Sequence, residues 1–181
     1  MNKLSYINKE KSIQTGRLVS KTDWTTYLDK FFFCIISASF VLDGTLIELE
    51  FPNDGLFTEV LLYFIAPAFI ILGLYCIYRK VRENELILVQ THLTKHKNLL
   101  ALKEYLKKYN YTIDQENDDI IIVIDEYMLS FNGLWRKKYV FLIDDYVVYF
   151  NITKLFPFVA PPVLISHLTL KYDLKKLFSS L

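Results

Sequence analysis

The chain has 181 residues, 52% of them hydrophobic and 16% aromatic, and a formal net charge of +1 at pH 7. So even a balance supplies no field for DNA or for an acidic partner. The two cysteines, Cys34 and Cys76, both fall in apolar runs; they are too few for a disulfide framework or a cysteine-based zinc centre and read as inert buried thiols.

In chain order, residues 1–30 form an N-terminal segment bearing Lys3, Lys9, Lys11, Arg17, Lys21 and Lys30. The run Phe31–Leu42, "FFFCIISASFVL", passes Asp43 and continues to Ile47. As a helix it reaches about 25 Å, which predicts a first membrane span over about 31–47. Asp43 then sits near the far interface, where a carboxylate costs less than at mid-bilayer. Trp24 and Tyr27 suit the near interface, and Lys30 can snorkel. Val60–Tyr78, "VLLYFIAPAFIILGLYCIY", is nineteen residues without a charge. That length crosses a hydrocarbon core of about 30 Å, so a second span is expected over about 58–78. Pro67 should kink it, and Ser37, Ala38 and Ser39 should face Ala66 and Gly73 across a close helix pair. Asp43, Glu48, Glu50, Asp54 and Glu59 lie between the runs with no base, while Arg79, Lys80 and Arg82 follow the second. The positive-inside rule then places both termini in the cytoplasm and the acidic loop outside, a helical hairpin in a bacterial inner membrane. The long polar lead-in argues against a cleaved signal peptide.

Residues 79–93 read as a stalk, within which "ENELILVQ" either continues the second helix or runs extended. Residues 94–181 read as a cytoplasmic domain. Thr94 is placed to cap a helix through Tyr109, with Leu99, Leu102, Leu106 and Tyr109 on one face and Asn110 ending it. Strands are expected at 111–116, 120–125, 134–143 and 146–152, with Asp144–Asp145 as the last hairpin turn, and a closing helix near Leu168–Phe178. The expected fold class is α+β. Tyr139, Phe141 and Ile143 point to one face of the sheet and Val140 and Leu142 to the other. Two helices can cover the first face. A partner subunit, the bilayer or a ligand is expected to cover the second.

Helix, meander and short helix, with "LSFNGLWRKKYVFLIDDYVVYFNI" in the middle, resemble the soluble part of small bacterial two-pass membrane proteins over about residues 85–180. The resemblance implies the architecture and brings no activity, cofactor or site with it.

No Gly-rich phosphate loop, nucleophile elbow or paired catalytic carboxylate stands in the sequence, so a non-enzymatic protein without cofactor or catalytic residues is expected. His92 and His96 have an i, i+4 spacing, but no His-Glu-x-x-His pattern accompanies them and no metal site is predicted. His167 stands alone. Asp114, Glu116, Asp118, Asp119, Asp125 and Glu126 read as solvated turn carboxylates, since a calcium loop needs a glycine and fixed offsets. Arg136, Lys137 and Lys138 beside Phe131, Trp135 and Tyr139 are the candidate contact for an anionic ligand or lipid headgroups, against the plainer reading of a charge-protected edge strand. The uncharged run "LFPFVAPPVLIS", Leu155–Ser166, holds three prolines. It is expected to pack over the sheet end, with Phe156 and Phe158 as candidates for membrane or partner contact. These features point to a binding or accessory subunit of a membrane, working with a protein partner or a second copy of itself. A ligand-gated effector whose soluble domain senses a nucleotide is the alternative.

Overall fold

The computed structural model describes residues 7–20, 24–50, 61–126, 136–155, 163 and 165–181. Among these the protein is a mixed α+β chain with one five-stranded antiparallel sheet and helices. It divides into two compact units, one drawing on residues before 24 and after 82, the other built on residues 24–82.

The sheet holds β1 (Ile87–Gln90), β2 (Ile113–Glu116), β3 (Ile120–Glu126), β4 (Arg136–Asp144) and β5 (Val147–Leu155) in the order β1-β5-β4-β3-β2. Of the two readings open for "ENELILVQ", the extended one holds: Ile87–Gln90 pairs with Val147–Phe150. The last hairpin turn lies one residue later than expected, because Asp144 pairs with Val147 and leaves Asp145 and Tyr146 as the turn. Its register is set from outside the hairpin. Thr91 N–H donates to the Tyr146 carbonyl, Tyr146 N–H to the Leu93 carbonyl, and Lys95 N–H to Asp145 Oδ1. The buried Asn98 amide adds a bond to the Asp144 carbonyl. These contacts hold Tyr146 at φ 63°, in the left-handed region.

Helix α4 (Lys95–Lys108) follows Thr94, whose backbone is extended as an N-cap requires but whose side chain makes no capping bond. The Asp145 carboxylate supplies one of the needed acceptors instead. Asn110, at φ 55°, ends the helix as expected. Leu99, Leu102, Tyr105 and Leu106 from α4, with Leu170, Leu174 and Phe178 from α5 (Ser166–Ser179), bury the face of the sheet that carries Tyr139, Phe141 and Ile143. Each such large apolar side chain contributes about 1.5–3 kcal/mol.

The other face has a cover that the sequence did not reveal. Ile120, Ile122, Val140 and Leu142 form a second core with Ile7, against which Ile13 and Leu18 pack. Part of what was expected of a partner, the bilayer or a ligand is done by the chain's own N-terminal arm, which carries α1 (Lys9–Thr15). Seven residues cannot hold a helix alone. The arm is closed locally instead: Asn8 Oδ1 accepts from Lys11 N–H, Ser12 Oγ accepts from Val19 N–H, and Gly16 ends the helix at φ 64°.

In the other unit, α2 (Trp24–Glu50) packs against α3 (Ala66–Val81). By length and composition, one helix among the described residues could cross a membrane, Tyr63–Val81. Of the small residues, Ser37 and Gly73 meet as expected, the Ser37 carbonyl lying 2.8 Å from where a Cβ on Gly73 would stand; Ala66 is buried. Ser39 is exposed and donates to its own helix at the Ile36 carbonyl. A π turn, Leu61–Ile65, stands immediately before Pro67 at the start of α3. A proline clashes with the carbonyl four residues back and lacks an N–H, and a wider turn there accommodates both.

Candidate functional site

Pleating divides the basic run of β4. Lys137 shares the face of Tyr139 and Phe141, while Arg136 and Lys138 share the face of Val140 and Leu142. Lys137 stands across from Asp125 on β3 and Lys154 on β5, and its side chain is buried. Its Nζ donates to Ser166 Oγ at 2.8 Å, tying β4 to the first turn of α5. Burial lowers the Lys137 pKa and the neighbouring Lys154 cation lowers it further, while Asp125 opposes them. The three expected cations are therefore not one patch. Lys137 is a structural lysine, while Arg136, exposed, and Lys138, half-buried, lie on the opposite face. Trp135, Phe131, Phe156 and Phe158 lie outside the described residues. Of the proline-rich run, Val163 belongs to the first core and Ile165 is exposed.

Below Lys137 on the same face the tyrosines gather. The Tyr111 and Tyr139 rings meet edge-on with centroids 5.4 Å apart, and Tyr105 and Tyr109 lie 4.8 Å apart. Tyr105 Oη and Asp173 Oδ2 are 3.5 Å apart. Burial is the main reason that the hydroxyls of Tyr105, Tyr111 and Tyr139 hold their protons above the ordinary phenol range, and the Asp125 and Asp173 carboxylates add to it. Protonated phenols with carboxylate acceptors make a hydrogen-bonded buttress, not a set of nucleophiles.

At the opposite end of the sheet, the N-terminal arm and the β2–β3 turn border an open groove of about 870 Å³, lined by Ile7, Lys9, Ile13, Asn117, Asp119 and Asp144 among others. Asp119 is its electrostatic centre. Lys9 Nζ lies 2.7 Å and Lys95 Nζ 2.6 Å from Asp119 Oδ1. The hydrogen bond from Lys9, then that from Lys95, lowers the Asp119 pKa. The bond to Asp119 in turn raises that of Lys95. One carboxylate thus ties the arm and α4 to the same turn, so this member of the acidic series is more than a solvated turn residue. His92 precedes α4 and His96 lies within it, so the pair does not share a helix face; both are exposed.

Where the chain leaves the sheet for α2 and returns from α3, its two strands are joined. Leu18 N–H donates to the Asn84 carbonyl at 2.7 Å and Leu86 N–H to the Gly16 carbonyl at 2.9 Å. Beneath them the buried Asn151 amide on β5 donates to the carbonyls of Glu83 at 2.8 Å and Glu85 at 3.0 Å. Asn151 is the one amide in the apolar stretch "YVVYFNI", and that isolation was its only signal in the sequence.

Between α2 and α3, Lys80 Nζ lies 2.6 Å from Asp29 Oδ2 and 5.5 Å from the centre of the Phe33 ring. No family model, curated protein or solved structure matches this chain.

Proposed function

We propose that the protein is a non-enzymatic integral membrane protein, with α2 and α3 as a transmembrane hairpin, both termini in the cytoplasm and the sheet unit as a binding module for a protein partner or a second copy. One observation carries this reading: the outside of the helix pair is rich in large apolar side chains. Phe31, Phe32, Tyr63, Phe64, Ile71 and Leu74 are exposed on its outside, while Ser37, Gly73 and Lys80 are buried within it. A pair of helices that keeps small and polar groups inside and large apolar ones outside suits a hydrocarbon solvent. The test is alkaline extraction of membranes together with a reporter active only outside the cytoplasm, fused after Leu181. The chain should stay in the pellet and the reporter should stay silent. Release of the chain, or an active reporter, overturns the reading.

The joined neck at residues 16–18 and 83–86 favours a second reading, a ligand-gated effector in which occupancy of the sheet unit reaches the hairpin. Arg136 and Lys138 would take the anionic part of a nucleotide. Cross-linking of the full chain in membranes, with and without a panel of linear and cyclic nucleotides, separates the two. Nucleotide-dependent oligomers that vanish in Arg136→Gln/Lys138→Gln support the effector. Lys137 is left intact in that variant because it holds Ser166.

A further inference from the structure

We propose that the outward side of α5 is a peripheral membrane-binding face, which lies on an anionic phospholipid surface. The helix buries Leu170, Leu174 and Phe178, one per turn, and turns the opposite side to solvent. That side carries Ile165, Leu168 and Tyr172 at 68%, 56% and 69% exposure. Their spacing of three and four residues puts them in one row. Single exposed apolar residues are ordinary, but a row with a tyrosine in it is a surface suited to something other than water.

The charges identify the occupant. Lys175 and Lys176 are exposed beside the row and Lys171 flanks it. The one carboxylate of the helix, Asp173, is turned toward the Tyr105 hydroxyl on α4, so the outward side has cations and no acid of its own. A protein-binding face is depleted in lysine at its centre. Lysine with tyrosine and aliphatic side chains is instead the composition of an interfacial helix on anionic headgroups. The helix also emerges from Leu155–Ser166, a run of chain without a charge. Here the membrane-anchored reading supplies only the nearness of the lipid; the chemistry of the face stands apart from it.

The experiment places an environment-sensitive thiol dye on Leu168→Cys in the full chain, with Cys34→Ala and Cys76→Ala, in nanodiscs of neutral lipid alone or with added phosphatidylglycerol. The emission should shift to the blue only with phosphatidylglycerol, be quenched by lipids carrying a shallow spin label, and return to the aqueous value at high salt. Lys171→Gln/Lys175→Gln/Lys176→Gln should lose the shift while keeping the melting temperature. Water-like emission in every lipid overturns the proposal. So does a shift that appears in detergent and grows with protein concentration, which marks a second copy as the occupant. Should alkaline extraction release the chain, the same dye read with added vesicles still decides the matter. A shift there keeps the α5 face and discards the hairpin, and no shift discards both.

Discussion

Lys80 Nζ on α3 and Asp29 Oδ2 on α2 stand 2.6 Å apart, with the Lys80 side chain fully excluded from solvent. The pair joins residues 51 positions apart and fixes one lengthwise alignment of the two helices. Attraction between buried charges is offset by their desolvation, so the pair adds specificity more than stability. Losing one member is different. Asp29→Asn should destabilise the hairpin by about 3–5 kcal/mol, because a buried ammonium keeps its desolvation cost without that carboxylate. The double variant Asp29→Leu/Lys80→Met should recover most of it. Thermal loss of helical circular dichroism in the purified chain measures both, and a harmless single variant would show the ammonium reaching water.

Gly73 leaves no space for a side chain. A Cβ there would stand 2.8 Å from both the Ser37 carbonyl oxygen and Val41 Cγ2. Backbone on one side cannot give way, so Gly73→Ala should cost about 1–3 kcal/mol and push the helices apart, and Gly73→Leu should cost more. Phe40 on α2 and Phe69 on α3 have ring centroids 5.8 Å apart, so cysteines placed at these two positions report the separation by their cross-linking. Unchanged cross-linking in Gly73→Ala would mean that the pair takes up the added methyl without moving apart.

Tyr146 holds a left-handed backbone with its side chain 61% exposed. A β-carbon there costs roughly 1–2 kcal/mol that glycine or asparagine largely avoids. Tyr146→Asn should therefore raise the denaturant midpoint of the sheet unit. A fall would assign the tyrosine ring a packing role that its exposure argues against.

Asn151→Ala removes both donors to the Glu83 and Glu85 carbonyls and should cost about 1–3 kcal/mol. Amide exchange at Leu18 and Leu86 should rise together, since those two N–H groups bridge the strands above Asn151. Faster exchange at one alone would show that the strands open separately.

Asp119 sets an acid limit on the arm. Its folded pKa is lowered from the ordinary 3.8, so the stability from its pairs with Lys9 and Lys95 is fully present above that value and is lost as pH falls below it. The stability difference between the native chain and Asp119→Asn should shrink to nothing in strong acid, and at neutral pH it should fall with added salt because the carboxylate is 42% exposed. A difference independent of pH would remove the charge from the account.

Periodicity made the sheet legible: alternating Ile, Val and aromatic residues mark β3, β4 and β5, and Leu99, Leu102 and Leu106 mark α4. The same reading misplaced the turn by one residue because Thr91, Leu93 and Lys95, far outside the hairpin, decide its register. It could not see the cover over Val140 and Leu142, since Ile7, Ile13 and Leu18 sit in a polar segment with too few apolar residues to announce a helix. The site candidates fared unevenly for a similar reason. Adjacent residues on a strand point to opposite faces, so three consecutive cations became one buried lysine and two cations on the other face.

The arm also sets an order of events in biosynthesis. Ile7 leaves the ribosome long before Ile120, Ile122, Val140 and Leu142, and Lys9 waits 110 residues for Asp119. The whole of α2 and α3 is made in between, so the sheet unit is a single domain interrupted by an insertion. Its two halves cannot join until the insertion has folded back and returned the chain, and closing so long a loop carries an entropic cost that local elements do not. Until then the nascent sheet presents Val140 and Leu142 uncovered, which makes the N-terminal arm an intramolecular guard against misassembly, delivered early and used last.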